Sequence, residues 1–244
     1  MVENRPHDIW IVGAKRTAFG RVGGTLGSFS ATQLGVVAAK AALQQSQVNP
    51  SSIDTVVFGT CHPTAADTLY ISRHVGLRIG APSSTSALVV NLACGSGFQA
   101  LISASQQIIL REANVAIAGG SEAMSLSPHV KWGQAPSTVQ YPNKYFEQMD
   151  QLGRNRFGEM LWDSLIDTYI ESSQAMTTEN IARKFKITRE ESDDYSLRSR
   201  HAWDHANESQ KFDLEIVATE VTTQNMVSRF LVDENPRPPV AEQC

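Results

Sequence analysis

At 244 residues, with 41% hydrophobic residues, the chain can bury one large core or two small ones. A formal net charge of -4, mixed in sign and without a basic stripe carrying interleaved aromatics, argues against a nucleic-acid partner. The lack of any apolar run of about 18 residues argues against a membrane-spanning helix, and the polar first eight residues lack the apolar stretch of a signal peptide.

Residues 8–14 form a short apolar run that predicts a buried strand. A Gly-rich stretch through Gly27 predicts a loop. A helix is predicted from Ser30 or Thr32, either of which can cap it, to Gln47, with Leu34, Val37, Ala38, Ala41 and Ala42 at helical spacing. Pro50 punctuates the chain. Residues 53–59 predict a second strand, 70–77 a helix with Gly76 or Gly80 near its end, and 87–93 a third strand with Cys94 immediately after it. Residues 98–112 predict a helix through Phe98, Leu101, Ile102, Ser105, Ile108 and Ile109, and 114–120 a fourth strand closed by two glycines. Strands alternating with helices predict an α/β domain over 1–120, while the strand order is not legible from the pattern.

Residues 121–160 carry Ser, Pro, Gly, Asn and Gln with weak periodicity. The chain then turns helical and charged from Thr177 to Asn207, with Thr188 and Glu191 spaced as a capping box. Residues 216–223 alternate as a strand does. This second part, 121–244, is expected to be a helical insertion or small subdomain.

Three cysteines, Cys61, Cys94 and Cys244, make no disulfide framework, and none forms a CxxC pair that would suggest structural zinc. They fit a reduced, cytoplasmic protein, with Cys61 read as a buried thiol. Cys94 stands at a strand-to-helix junction. A helix beginning near Gly95 would aim free N–H groups and the positive end of its dipole at the sulfur, favouring thiolate. Gly95 and Gly97 would permit a sharp turn and close approach of a substrate, and the Cys94 N–H could donate to a thioester oxyanion. A cysteine merely packed at a strand end is the alternative on local composition. Glu122 and Met124 fit packing around the Cys loop, Arg16 an ion pair, and His62 a loop histidine. His201 and His205 have i, i+4 spacing, but no second carboxylate-rich motif supports a metal site.

The segment Asn91-Leu-Ala-Cys94-Gly-Ser-Gly-Phe-Gln-Ala100 resembles the active-site segment of thiolases. Ala118-Gly-Gly-Ser-Glu-Ala-Met-Ser125 resembles the segment that follows it in that family, and Ala14-Lys-Arg-Thr17 with Phe19-Gly20 the opening one. Met176-Thr-Thr-Glu-Asn180, Ile187-Thr-Arg-Glu-Glu-Ser-Asp193, Phe212-Asp, Glu215-Ile216 and Val232-Asp-Glu-Asn-Pro-Arg-Pro238 continue the match in the same order. The resemblance implies the N-terminal half of a layered α-β-α-β-α fold, with residues 121–244 as an incomplete loop domain over coenzyme A.

It also implies an acyltransferase that cleaves 3-ketoacyl-CoA with coenzyme A, or runs the reverse condensation, through an acyl group held on Cys94. Acyl-CoA and coenzyme A are then substrates, no separate cofactor is expected, and a homo-oligomer, dimer or tetramer, is. Ser228 and Arg229 are candidate donors to the nucleotide phosphates, against the alternative of an ordinary exposed polar pair. The family's Asn-Glu-Ala-Phe, Gly-His-Pro and Cys-x-Gly-Gly-Gly segments do not occur in this sequence. A catalytically incomplete thiolase fragment, needing a C-terminal half or partner, is therefore the alternative expectation. A ketoacyl synthase fits less well, because 177–193 resembles the thiolase loop domain.

Overall fold

The computed structural model describes residues 8–132, 156–223, 226–234 and 236. Residues Met1–Leu126 and Arg189–Cys244 group into one compact unit, and Ser127–Thr188 into a second. This grouping does not follow a single cut at residue 120, because the chain after 188 returns to the N-terminal segment.

In chain order the first unit begins with β1 (Arg16–Thr17), α1 (Ala31–Ser46), β2 (Thr55–Gly59), α2 (Ile71–Ile79), β3 (Ser86–Val90), α3 (Ser96–Ile109) and β4 (Ala116–Gly120). The second unit holds β5 (His129–Trp132), β6 (Arg156–Glu159), α4 (Met160–Asp163), β7 (Ile166–Asp167), β8 (Ser172–Ser173) and α5 (Gln174–Phe185). The first unit resumes with α6 (Arg189–Glu208), β9 (Ile216–Val217), β10 (Thr219–Thr223) and β11 (Met226–Phe230). The α/β class expected from the alternation is what the structure has. Among the described residues, no helix is long and apolar enough to cross a membrane.

The core is a parallel sheet in the order β3-β2-β4. Every residue of the central strand β2 is buried. Its side chains alternate between the two faces, as the period of a strand requires. Val56 and Phe58 join a cluster with Leu43, Ile71, Val75 and Ile79 of α1 and α2, whereas Val57 packs with Ala100 and Ala104 of α3. Helices thus cover both faces. A buried Ser72 on α2 ties the layers together, since its hydroxyl accepts from the Phe58 N–H at 3.0 Å and donates to the Leu88 carbonyl at 2.6 Å.

Ser30 caps α1 in a full capping box, with its Oγ accepting from the Gln33 N–H and the Gln33 side chain returning to the Ser30 N–H. The buried ridge of α1 is Ala31, Gly35, Ala39 and Leu43, while Leu34, Val37, Ala38, Ala41 and Ala42, whose spacing predicted the helix, are half-buried. At Gly35 a Cβ would lie 3.0 Å from the Phe58 ring and 3.1 Å from Val75, so the close approach of the helix there depends on the missing side chain. Small residues are also the ones that α3 buries, namely Ser96, Ala100 and Ala104. The large residues whose spacing predicted the helix look outward, Phe98 being 77% exposed.

A further correction concerns residues 8–14. They form no strand, and Trp10, Ile11 and Val12 are exposed. The chain lies along α1, where the Ala14 N–H donates to the Gln45 side chain at 2.9 Å, and only Arg16 and Thr17 pair, parallel to β9.

Around β1, Arg16 reaches Asp233 at 2.7 Å and Glu215 at 2.9 Å, the ion pairing expected of it. The Phe19 N–H also donates to Asp233. The Glu234 carboxylate accepts from the Arg21 N–H and from Thr25, holding the Gly-rich loop. Burial alone would raise the Asp233 carboxyl, but hydrogen bonds from Arg16 and Phe19, with the Arg16 charge, hold it below its ordinary value. A carboxyl depressed in this way adds stability above its unfolded pKa, near 4, and loses it as pH falls through the folded value. Replacing Asp233 with Asn is therefore expected to cost roughly 1.5–3 kcal/mol near neutral pH. The difference from the parent should shrink as the medium is acidified below about pH 4. Urea denaturation across pH measures both, and a pH-independent difference would contradict this account.

Candidate active site

The three parallel strands end side by side, and the loops that leave them meet. Ligands in parallel α/β sheets bind at such carboxyl ends. After β2 come Thr60 and Cys61, after β3 the turn from Asn91 to Gly95, and after β4 Ser121 and Glu122. Backbone bonds align them: the Thr60 N–H donates to the Val90 carbonyl at 3.3 Å and the Ser121 N–H to the Gly59 carbonyl at 3.1 Å.

Cys94 is exposed and lies in the turn just before α3, whose N-cap is Gly95. It does not follow the strand directly, because β3 ends at Val90 and the turn intervenes. The Gly95 N–H donates to the Leu92 carbonyl at 2.9 Å and the Ser96 N–H to the Ala93 carbonyl at 3.1 Å. The sharpness of the turn does not come from its glycines. Gly95 has a φ of -85°, whereas Ala93, with φ of +45°, occupies the left-handed region. For a residue with a Cβ that is uncommon and costs energy, and such strain clusters where function holds it in place. Gly97 faces open space, in keeping with the expected room beside the sulfur.

The strained residue is held from all sides. The Ser96 hydroxyl, buried, accepts from the Leu92 N–H at 2.9 Å and donates to the Ala93 carbonyl at 2.6 Å. The Asn91 side chain accepts from the Ala93 N–H at 3.0 Å and donates to the Cys61 carbonyl at 3.2 Å. The Cys61 thiol donates to the Ala93 carbonyl at 2.9 Å. The Cys61 N–H in turn donates to the Glu122 carboxylate at 2.7 Å. Glu122 thus serves the packing role expected of it. Cys61 is half-buried rather than buried, and burial, with the Glu122 charge nearby, pushes its thiol pKa up.

Sequence reasoning missed Asn91, Ser96 and Cys61 as supports of the turn. The Asn that precedes the Cys and the Ser that follows it were signals, since short polar side chains compete for local backbone groups in turns. Ser228 and Arg229 stand on β11, where Ser228 pairs with Val221 and Arg229 with Glu220 of β10. The Ser228 hydroxyl lies 3.4 Å from the Val221 carbonyl. Cys244 lies outside the described residues.

The fold is an α/β one, with a strand-turn-helix that places an exposed cysteine at the carboxyl end of a parallel sheet. A family model for the thiolase N-terminal domain matches residues 9–243. Human mitochondrial 3-ketoacyl-CoA thiolase is 40% identical over 230 residues, covering 94% of this chain and 55% of that protein. An acetyl-CoA acetyltransferase of Cupriavidus necator is 34% identical over 210 residues, covering 86% and 50%. Among solved structures, human mitochondrial 3-ketoacyl-CoA thiolase in complex with CoA superposes with a TM-score of 0.81 at 39% identity, covering 94% of this chain and 54% of that one. Bacillus anthracis acetyl-CoA acetyltransferase gives a TM-score of 0.84 at 29% identity, covering 98% and 57%. The chain belongs to the thiolase family, and it spans about half the length of the relatives it matches.

The two sulfurs in this region differ in exposure and bonding. Cys94 is open to solvent, while Cys61 is half-buried and donates to a carbonyl, and burial pushes its thiol above the ordinary value. Alkylation needs an accessible thiolate. With iodoacetamide near neutral pH, Cys94 is expected to label severalfold faster than Cys61, read by peptide mass mapping of the folded chain. Equal labelling would show that the turn gives Cys94 no advantage.

Proposed function

We propose that this chain supplies the acyl-accepting half of a thiolase and that Cys94 is the sulfur that carries the acyl group. In the loading direction the Cys94 thiolate adds to the carbonyl carbon of an acyl-CoA thioester. Collapse of the tetrahedral adduct breaks the bond to the coenzyme A sulfur, which leaves as thiolate, and the acyl group remains as a new thioester on Cys94. Thiolytic cleavage of a 3-ketoacyl-CoA arrives at the same acyl-enzyme, by attack at the ketone carbon and departure of the enolate of acetyl-CoA.

The observation that carries this reading is the exposed Cys94 in a strained, fully braced turn at the carboxyl ends of β2, β3 and β4, within the span that matches the family. The human relative solved with CoA supports coenzyme A as the acyl donor and acceptor thiol. Ser228 and Arg229 are proposed as phosphate donors, because Arg and Ser offer N–H and O–H groups suited to that charge.

A second reading has its own support. Carbon–carbon bond cleavage also needs donors to the enolate oxygen and an acid or base at the α-carbon. The family segments that carry them are not in these 244 residues. The large apolar residues on the outer face of α3 are exposed, with Phe98, Leu101, Ile102 and Ile109 all open to solvent. Phe98 would gain up to about 1.5–3 kcal/mol if fully covered, and the half-exposed Leu101, Ile102 and Ile109 roughly half of that each. The polypeptide by itself is therefore proposed to load Cys94 without turning over.

Incubation of the purified chain with acetyl-CoA should leave one acetyl group on the Cys94 peptide, absent from a Cys94→Ala variant. With acetoacetyl-CoA and coenzyme A, steady loss of the ketoacyl thioester should not follow, because groups that act as a unit fail together by orders of magnitude. Acetylation elsewhere, with Cys94 unmodified, would overturn the first reading. Sustained turnover would overturn the second.

A further inference from the structure

The mechanism above leaves Cys61 unused, yet its contacts bind it to the Cys94 turn from several directions. One Asn91 side chain joins the two loops, accepting the Ala93 N–H and donating to the Cys61 carbonyl. The Cys61 Sγ sits 2.9 Å from the Ala93 carbonyl oxygen and 3.7 Å from the Ser96 Oγ. Across a trans peptide that oxygen lies on the same side of the C–N bond as the Cα of the next residue, which is Cys94. The Cys61 sulfur therefore approaches the peptide unit that leads into Cys94. The loop from Asn91 to Cys94 is exposed throughout, so a rearrangement there that breaks the Cys61–Ala93 hydrogen bond would let the sulfurs meet.

We propose that Cys61 is the resolving thiol for Cys94 and that the pair forms a reversible disulfide that protects the acyl-accepting sulfur from a peroxide. This rests on the reading of Cys94 as that sulfur. The first step is attack of the Cys94 thiolate on one oxygen of hydrogen peroxide. The O–O bond breaks, water leaves after proton transfer, and Cys94 becomes a sulfenic acid. In the second step the Cys61 sulfur attacks the Cys94 sulfur, the S–O bond breaks, a second water leaves and the S–S bond forms. Two thiols lose two hydrogens and one peroxide becomes two waters.

The environments suit these roles. Cys94 is exposed and meets the peroxide first. Cys61 is half-buried and bonded to the Ala93 carbonyl, so it is less open to the peroxide and waits beside the turn at high effective concentration. Breaking its hydrogen bond to Ala93 frees it to turn toward Cys94.

The test uses the reduced full chain carrying Cys244→Ser, treated with hydrogen peroxide, quenched with an alkylating agent and mapped by mass spectrometry. The expected result is a Cys61–Cys94 linked peptide, loss of both free thiols in parallel, and recovery of both with dithiothreitol. In a Cys61→Ser variant, dimedone should trap the Cys94 sulfenic acid, and irreversible oxidation of Cys94 to sulfinic acid should run severalfold faster. Oxidation of Cys94 without the linked peptide, or equal sulfinic acid formation in both proteins, would overturn the proposal. Acetyl-CoA loading of untreated chain, measured in parallel, reports on the acyl-accepting role separately. A chain that forms the disulfide but does not load would retain the thiol pair and lose the catalytic reading.

Discussion

Gly59, the last residue of the central strand, leaves no room for a side chain: a Cβ there would stand 2.5 Å from the Ser96 carbonyl carbon and 2.7 Å from its Cβ. The start of α3 therefore rests directly on the end of β2. From that contact the rest of the site follows. Ser96 is buried by it, and a buried hydroxyl must find partners. The nearest backbone groups are those of Leu92 and Ala93, in the turn that carries Cys94. Gly120 extends the same arrangement on the β4 side, where a Cβ would lie 3.2 Å from the Gly59 carbonyl oxygen.

Small residues also decide how the helices lie. Gly35 and Ala39 of α1, and Ala100 and Ala104 of α3, are the ones turned to the sheet. The periodicity of apolar residues marked both helices correctly, but spacing alone does not say which residues meet the sheet. α3 packs on it with small residues and carries large ones on the opposite side. The strand expected at 8–14 failed for a related reason. A short apolar run says that a segment seeks cover, not that a neighbouring strand supplies it. Local signals fared better: the Ser30 cap, Gly80 in the left-handed region at the end of α2, and strands β2 and β4 all lay where their residues pointed.

At the site, Cys94 was legible because its signal is contiguous: an apolar run, a cysteine and small residues, then a helical pattern. Its supports were not, since Cys61 and Glu122 come from the ends of other strands and converge only when three parallel strands align in register. Ion pairing of Arg16 was legible from its position after an apolar run. Its partners, Asp233 and Glu215, about two hundred residues away, were not.

The turn itself sets a balance between strain and hydrogen bonding. A left-handed Ala93 costs on the order of 1–2 kcal/mol relative to an ordinary conformation. Against this, its carbonyl accepts from the Ser96 N–H, the Ser96 hydroxyl and the Cys61 thiol, and its N–H donates to Asn91. Typical net contributions of about 0.5–1.5 kcal/mol for each conventional bond exceed the strain. A glycine at 93 would relieve the strain but widen the conformations open to the unfolded chain and to the turn. Alanine gives a narrower set, and with its carbonyl and N–H both fixed, the Cα of the next residue is fixed too. The peptide unit leading into Cys94 is thereby held in one arrangement, which under the proposed acyl-accepting role lets the sulfur meet a carbonyl carbon without first reorganising its own backbone.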